Sequence, residues 1–181
     1  LNPKFIDAEL CDLMARSGCR AIELGTDSGS PAMIARLQKE FDADDLRRTS
    51  ALCHAHGLKF CHSLIFGGPG ETAATVDETI ALMEELRPTA VIAMTGIRIL
   101  PGTGMVEIAL RDGQIDADDP LLEPRFYVSP ALGEALIDRV DAYARQQPNW
   151  IVPGLGIKTN IAVLRRLRAR RVKGQLWRLL R

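Results

Sequence analysis

Residues 59–72 read KFCHSLIFGGPGET, and this stretch decides the fold. Its first eight residues are mostly apolar and end in a glycine-rich turn, which predicts a strand over residues 59–66. The next six residues form a glycine-rich loop. Beyond them, residues 73–86 carry Val76, Ile80, Met83 and Leu86 at helical spacing. A strand, a glycine-rich loop and an amphipathic helix make one βα unit.

The same pattern occurs on both sides of that unit. Upstream, a short strand at residues 21–24 opens into the small-residue loop 25–30, and downstream an apolar strand at residues 90–100 ends in loop 101–104. Capping signals predict the helices between them: Asp7 begins a helix that runs to Ser17, Ser30-Pro31 begins a second, and Asp42 with Asp45 begins a third that ends at Gly57. Three strands that alternate with helices predict a parallel sheet, and ligands of such sheets bind off the carboxyl ends of the strands.

After Gly104 the pattern becomes less regular. We expect a helix at 105–110, a short strand or packed loop at 126–128, an amphipathic helix at 132–147, a loop at 149–156 and a basic helical tail at 159–181. This predicts two units, a barrel-like part over residues 1–112 and a helical extension over residues 113–181.

Composition and charge exclude several classes of protein. The chain is 46% hydrophobic and 25% charged, with no apolar run long enough to span a membrane and no apolar signal core, so we expect a cytoplasmic protein. Nine of the 23 basic residues and none of the 23 acidic ones lie between Lys158 and the end. We favour a terminal helix packed on an acidic body. Peripheral contact with an anionic membrane is the alternative, and nothing favours nucleic acid strongly.

The four cysteines are Cys11, Cys19, Cys53 and Cys61. No two of them are close enough in sequence to form a C-x-x-C or C-x-x-x-C-x-x-C motif, which argues against a zinc or iron–sulfur site within this chain. We therefore expect free thiols and no metal ligands. The strand alternation places Cys61, Ser63 and Ile65 on one face of the sheet, and His62 on the other.

Three features suggest a binding site at the strand ends. Asp27 and Ser28 follow a strand between two glycines, where a carboxylate could accept hydrogen bonds from a ribose, or both residues could merely cap a turn. The loop 67–72 lets backbone approach a ligand, but it lacks the lysine and the spacing of a Walker A loop. Arg98 lies in an apolar strand, where a buried charge needs an ionic partner or a ligand carboxylate.

The order and spacing of these phrases resemble the second half of the radical S-adenosylmethionine (radical SAM) barrel. In that family a G-[IV]-[EQ]-S-G-S phrase ends the fourth strand, a G-x-P-G-E-T phrase the fifth and a P-G-T phrase the sixth. Here they stand as GTDSGS at 25–30, GGPGET at 67–72 and PGT at 101–103. The match covers roughly Phe5 to Met105. The segment from Gln114 onward resembles the C-terminal extension of the cobalamin-binding subgroup.

This resemblance implies the fold, α/β with half of a (βα)6 partial TIM-type barrel and a small helical extension. It also implies a site for S-adenosylmethionine. Asp27 and Ser28 match positions that contact the ribose, although Asp27 is one methylene shorter than the usual Glu or Gln. Lys39 matches a basic residue near the carboxylate of the cofactor. Ile65, Gly67, Ile99 and Leu100 match positions around the adenine.

The resemblance also implies a [4Fe–4S] cluster bound by a C-x-x-x-C-x-x-C loop. Neither that loop nor the first three strands of the barrel are in this sequence. We therefore expect a fragment of an enzyme that generates a 5′-deoxyadenosyl radical, and we expect this chain alone to be inactive. The resemblance to the cobalamin-binding subgroup implies cobalamin as a further cofactor of the full-length enzyme. The partners of this chain would be the N-terminal half of the barrel and a small-molecule substrate, with self-association through the exposed strand edge. Two alternatives remain: a non-catalytic binding domain that uses the half-barrel and the basic tail, and an iron-free barrel enzyme that binds phosphate on residues 67–70.

Overall fold

The computed structural model describes residues 1–153. A 3-10 helix at Pro3–Phe5 precedes six α-helices and six strands. The helices are α1 Ala8–Arg16, α2 Pro31–Arg36, α3 Ala43–Ala55, α4 Ala73–Leu86, α5 Gly104–Arg111 and α6 Ala135–Gln146. The strands are β1 Ala21–Asp27, β2 Lys59–Phe66, β3 Ala90–Thr95, β4 Ile97–Ile99, β5 Arg125–Tyr127 and β6 Trp150–Ile151.

The main sheet has four parallel strands in the order β1-β2-β3-β6. β2 is the centre of this order, with Cys61 opposite Ala90 on β3 and Phe60 opposite Ile22 on β1. The connections from β1 to β2 and from β2 to β3 pass through helices, which is the βα arrangement that the sequence predicts. The α/β fold class, a partial barrel of parallel strands with outer helices, is confirmed.

The helix starts follow the capping signals. Asp7 accepts a hydrogen bond from the Leu10 amide at 2.8 Å. Asp42 and Asp45 form a reciprocal capping box at the start of α3. These local bonds satisfy amide groups that the first turn of a helix leaves unpaired, so the sequence determines where the helices begin.

One prediction about the strands was wrong. The apolar run 90–100 is not one strand, because Gly96 takes a positive φ of 81° and breaks it after Thr95. The second piece, β4, leaves the main sheet and pairs antiparallel with β5. Strand β1 is also longer than predicted and extends through Asp27.

The sequence analysis also missed β6. Trp150 and Ile151, which we assigned to a loop, pair in parallel with Val91 and Ile92 of β3. A strand of two residues is too short to show any periodicity, and Pro148 just before it favoured a loop. The boundary at residue 112 stays a prediction, although α6 and β6 share the core of the main sheet.

The two faces of the main sheet differ. The helix-facing side carries the larger hydrophobic core, which includes Leu64, Phe66, Val91, Val76 and Leu136. The opposite side is open toward the strand ends: Glu23 and Met94 are exposed, and Ser63 and Ile65 are half-buried. In a closed barrel this side would face the interior.

The predictions for the basic tail concern residues 158–181, which lie outside the described range. Within residues 1–153, none of the helices combines the length and the apolar character that a membrane crossing requires.

Candidate functional site

The candidate site lies where the carboxyl ends of the parallel strands meet at one edge of the sheet. β1 ends at Asp27, β2 is followed by Gly67, and β3 is followed by Gly96. The amide of Gly96 donates a hydrogen bond to the carbonyl oxygen of Phe66 at 2.7 Å, so the second and third strand ends are in direct contact. Loops that follow different strands in the sequence therefore lie next to one another at this edge.

Asp27 and Lys39, two of the predicted site residues, are brought together by the fold. The Lys39 ammonium forms an ion pair with Asp27 Oδ2, and the two side chains are 23% and 25% exposed, respectively. Lys39 Nζ also donates to the carbonyl oxygen of Gly25 at 3.4 Å. The pair presents a carboxylate and an ammonium, both reachable by a ligand, beside the open face of the sheet.

The backbone at Asp27 is unusual. Its φ is +59°, and the amide of Ser28 donates to the carbonyl oxygen of Thr26 at 2.7 Å across it. The register between β1 and β2 slips at the same place, between Gly25 and Asp27. Left-handed backbone at a non-glycine residue in so tight a turn is costly and is typical of functional sites.

Ser28 lies next to this turn, but its side chain is oriented into the protein. It is 1% exposed, its hydroxyl oxygen lies 3.0 Å from Thr79 Oγ1 of α4, and it accepts from the Ser30 amide at 3.2 Å. The Thr79 hydroxyl oxygen also accepts from the Gly29 amide. The Ser28 hydroxyl is therefore engaged inside the fold, and its predicted ribose contact stays a prediction.

The glycine-rich loop after β2 is held from inside by Glu71. This buried carboxylate accepts hydrogen bonds through Oε2 from the amides of Gly67 and Gly68, while its Oε1 has no hydrogen-bond partner among the described residues. Burial raises the pKa of Glu71, and the two amide bonds offset part of that rise. Glu71 lies just before α4, whose N-cap is Thr72, and its side chain folds back onto the loop.

Two glycines of this loop need positive φ, Gly67 at 97° and Gly70 at 73°. The loop is also held by Ser129, whose amide donates to the Gly67 carbonyl at 2.9 Å and whose hydroxyl donates to the Glu71 carbonyl at 2.7 Å. The loop is therefore ordered by its own sequence and by a residue more than fifty positions away. Sequence analysis did not identify Ser129.

Ile65 lies on the face of the sheet predicted from the strand alternation, and its predicted adenine contact stays a prediction. It lies on the open face, half-buried, and its neighbour across β3 is Met94, which is 39% exposed. Ile65 and Met94 form an apolar surface next to Gly67. A flat aromatic group could pack there.

The residues of β4 differ from the prediction. Arg98 is exposed, so the expectation that its charge is buried is wrong, while its role in the cofactor site stays a prediction. The cause is the break at Gly96, which moves Arg98 out of the main sheet to a position opposite Phe126. Ile99 is buried against Ala109 and Tyr127, and Leu100 is 47% exposed. Their predicted adenine contacts are backbone contacts and stay predictions.

The cysteines are free, as their spacing predicted. Burial raises the pKa of Cys53 and of Cys61 to about 12, which keeps both protonated at neutral pH. Within residues 1–153, no three His, Cys, Asp or Glu side chains are grouped so that they could hold a metal ion.

Comparison with known proteins completes the assignment. The family model of the radical SAM superfamily matches residues 1–83, which hold the β1 turn, Lys39 and the whole glycine-rich loop. Over these residues the chain is similar to the radical SAM superfamily. The recognition from its motifs is thereby confirmed.

Proteins similar to this chain include a transferase and a synthase. Tryptophan 2-C-methyltransferase of Streptomyces laurentii is 32% identical over 112 residues, which are 59% of this chain and 19% of the relative. A tRNA-2-methylthio-N(6)-dimethylallyladenosine synthase of Geobacter sulfurreducens is 39% identical over 90 residues, 48% of this chain and 20% of the relative. The chain thus spans about a fifth of the length of these two relatives.

A solved structure has the same fold. The radical S-adenosylmethionine methyltransferase TsrM from Kitasatospora setae, with cobalamin and a [4Fe–4S] cluster bound, superposes with a TM-score of 0.75 at 23% identity. The superposition covers 99% of this chain and 41% of that one. It shows that the fold of this chain matches part of a larger solved structure.

Proposed function

We propose that this chain supplies one side of a site for S-adenosylmethionine in a radical SAM enzyme. The observation that carries the proposal is the Asp27–Lys39 ion pair at the carboxyl edge of the parallel strands. Both groups are partly exposed beside an apolar surface, and residues 1–83, which include both, match the family model of the radical SAM superfamily.

The chemistry of the pair suits the two ends of the cofactor. A carboxylate such as Asp27 accepts hydrogen bonds from ribose hydroxyls, and an ammonium such as Lys39 attracts the carboxylate of the methionine part. When the cofactor binds, the Asp27 carboxylate and the Lys39 ammonium would each give up part of their contact with each other and contact the ligand instead. Since the pair is partly solvated, that exchange costs little.

The adenine end would be held by shape more than by charge. Ile65 offers an apolar surface, and the backbone of Gly67, which takes a positive φ of 97°, follows it directly at the end of β2. The backbone of Ile99 and Leu100 would supply polar groups to the adenine edge. Glu71 and Ser129 keep the Gly67 loop in place before the ligand arrives, so binding costs less ordering entropy.

The iron–sulfur cluster does not fit on the residues described here. Their cysteines are separated and mostly buried, and no metal-ligating group of three exists among residues 1–153. We infer that its ligands belong to another part of the enzyme. When bound there, a [4Fe–4S] cluster supplies the electron that cleaves S-adenosylmethionine. The role of this chain is to bind and orient the cofactor.

The finer proposal is methyl transfer with cobalamin. The agreement with the cobalamin-bound methyltransferase structure extends over nearly the whole chain, beyond the barrel strands. A tryptophan methyltransferase is also among the relatives. These similarities support the cobalamin-dependent subgroup for the enzyme that carries this chain.

The proposal is tested by NMR titration of the 15N-labelled chain with S-adenosylmethionine. We expect shift changes at the amides of Asp27 and Gly67, and weaker binding in Asp27→Ala. Asp12→Ala is the matched control, because Asp12 also forms an ion pair, with Arg16, but on the surface of α1.

Three outcomes are informative. Shifts confined to the strand carboxyl edge and lost in Asp27→Ala support the proposal. Shifts at residues 67–70 with inorganic phosphate, and none with S-adenosylmethionine, would favour the iron-free phosphate site instead. If neither ligand changes any resonance at this edge, the chain does not supply a cofactor site.

A further inference from the structure

We propose that His62 is a positioning residue that fixes the turn at Asp27 through the side chain of Thr26. The importance of that turn for cofactor binding rests on the function proposed above. The His62–Thr26 contact itself is independent of it, because it is formed within the described chain.

His62 lies on β2, on the face covered by helices, and is fully buried. Its Nδ1 is 2.6 Å from the hydroxyl oxygen of Thr26, and its Nε2 is 3.5 Å from that of Ser50 on α3. The ring of Phe60 packs edge-on against the imidazole at 5.6 Å between centroids. The short contact to Thr26 is therefore the strong polar interaction of the ring, and the contact to Ser50 is at the limit of hydrogen bonding.

Thr26 connects this buried bond to the strained turn. Its side chain is fully buried on the face of the sheet that the helices cover. Its carbonyl oxygen accepts a hydrogen bond from the Ser28 amide, and this bond closes the turn around Asp27. A register slip between β1 and β2 occurs at the same residue. With its side chain held by His62, Thr26 cannot rotate to relax the turn.

Strained backbone persists only where the surroundings over-determine it. On the far side of the turn, Thr79 holds Ser28 and Gly29. On the near side, Thr26 is held by the polar side chain of His62. These contacts lie on both sides of Asp27 and hold its carboxylate where it forms the ion pair with the Lys39 ammonium.

A polar contact at this depth is not needed for packing. Burying a hydroxyl against an imidazole gains little net stability over two apolar side chains of the same shape. What the hydrogen bond adds is direction, because it fixes the rotamer of Thr26 and with it the backbone of the turn. The geometry thus assigns His62 a role in orientation.

The first test needs no ligand. Amide hydrogen exchange is measured by NMR in the chain with Thr26→Val, which keeps the volume of the side chain and removes the hydroxyl, and with His62→Gln. We expect the Ser28 amide to exchange about tenfold faster in either variant, roughly the worth of one lost hydrogen bond. The double variant should be no faster than the single ones, since both remove the same bond. Ser50→Ala is the control and should leave Ser28 unchanged.

The outcome that overturns the inference is equally specific. If Ser28 exchange is unaltered in Thr26→Val and His62→Gln, or if the two effects add fully, His62 does not act through Thr26. A rise in exchange over all core amides together would show general destabilisation and would also overturn it.

The second test measures affinity for S-adenosylmethionine in a double-mutant cycle of Thr26→Val and Asp27→Ala. We expect Thr26→Val to weaken binding about tenfold when Asp27 is present, and less than about twofold in Asp27→Ala, because the effect passes through Asp27. Equal losses in both backgrounds would refute the link to Asp27. If the unaltered chain binds no S-adenosylmethionine, the proposed function fails, and the exchange experiment still decides the role of His62.

Discussion

Because His62 is buried, we predict that it lowers the free energy of unfolding at acid pH. Desolvation lowers the pKa of His62 from its ordinary value of 6.5 to about 3. Below pH 6.5 the unfolded chain binds a proton at this residue, and the folded chain does not until about pH 3. Above pH 6.5, His62 does not reduce the free energy of unfolding. As the pH falls from 6.5 to 3, proton binding by His62 in the unfolded chain lowers the free energy of unfolding progressively.

The size of the effect follows from this gap. At pH 5 the unfolded state gains about 2 kcal/mol from protonation of this histidine, and near pH 3 the limit is about 4–5 kcal/mol. Because a typical domain is stable by only about 5–15 kcal/mol, a loss of this size is easily measured.

The assay is urea unfolding at pH 7 and pH 5 for the unaltered chain and for His62→Gln. Carboxylates also titrate in this range, so the difference between the two proteins is the measured quantity. We expect the free energy of unfolding to fall by about 2 kcal/mol more in the unaltered chain than in the variant. His54→Gln is the control variant, because it also replaces a histidine, one that lies at the surface of α3 with its Nε2 3.0 Å from the Leu86 carbonyl oxygen.

An equal pH dependence in the unaltered chain and in His62→Gln would refute the reasoning. It would mean that His62 is solvated or paired in a way that lets it take up a proton in the folded state.

Three further predictions concern other parts of the chain. A thiol reagent at pH 8 should modify Cys19, which is half-buried, at least about tenfold faster than Cys53, whose pKa burial raises to about 12; equal rates by mass spectrometry would contradict the burial. Glu71→Ala should lower the free energy of unfolding by about 2–4 kcal/mol because it leaves two loop amides unpaired, whereas Glu71→Gln keeps a carbonyl acceptor and should lose less. Gly29→Ala should cost about 1–3 kcal/mol, since its methyl would come within 3.1 Å of the α4 backbone, while Gly104→Ala at the start of α5 meets no atom within 4 Å and should be neutral or slightly stabilising. Urea unfolding checks both pairs, and a reversed order within either pair would refute the contact invoked.

The sequence by itself determined the features that depend on neighbouring residues. Helix starts at Asp7 and Asp42 follow from a side chain that bonds an amide three positions away, and the glycine-rich loop follows from residues that tolerate positive φ. The order of the three glycine-rich phrases was enough for the family, since each phrase is local and their order is read directly along the chain.

The tertiary structure alone decided where distant residues meet. Asp27 and Lys39 were predicted separately, and only the packing of α2 after β1 pairs them. Arg98 was misplaced because its position depends on pairing with Phe126 of β5, which lies 28 residues further along the chain. The contact between His62 and Thr26 joins residues 36 positions apart and has no periodicity that a single sequence could show. Local geometry is set by bonds to near neighbours, but a site made from several strand ends depends on how the whole chain closes around its core.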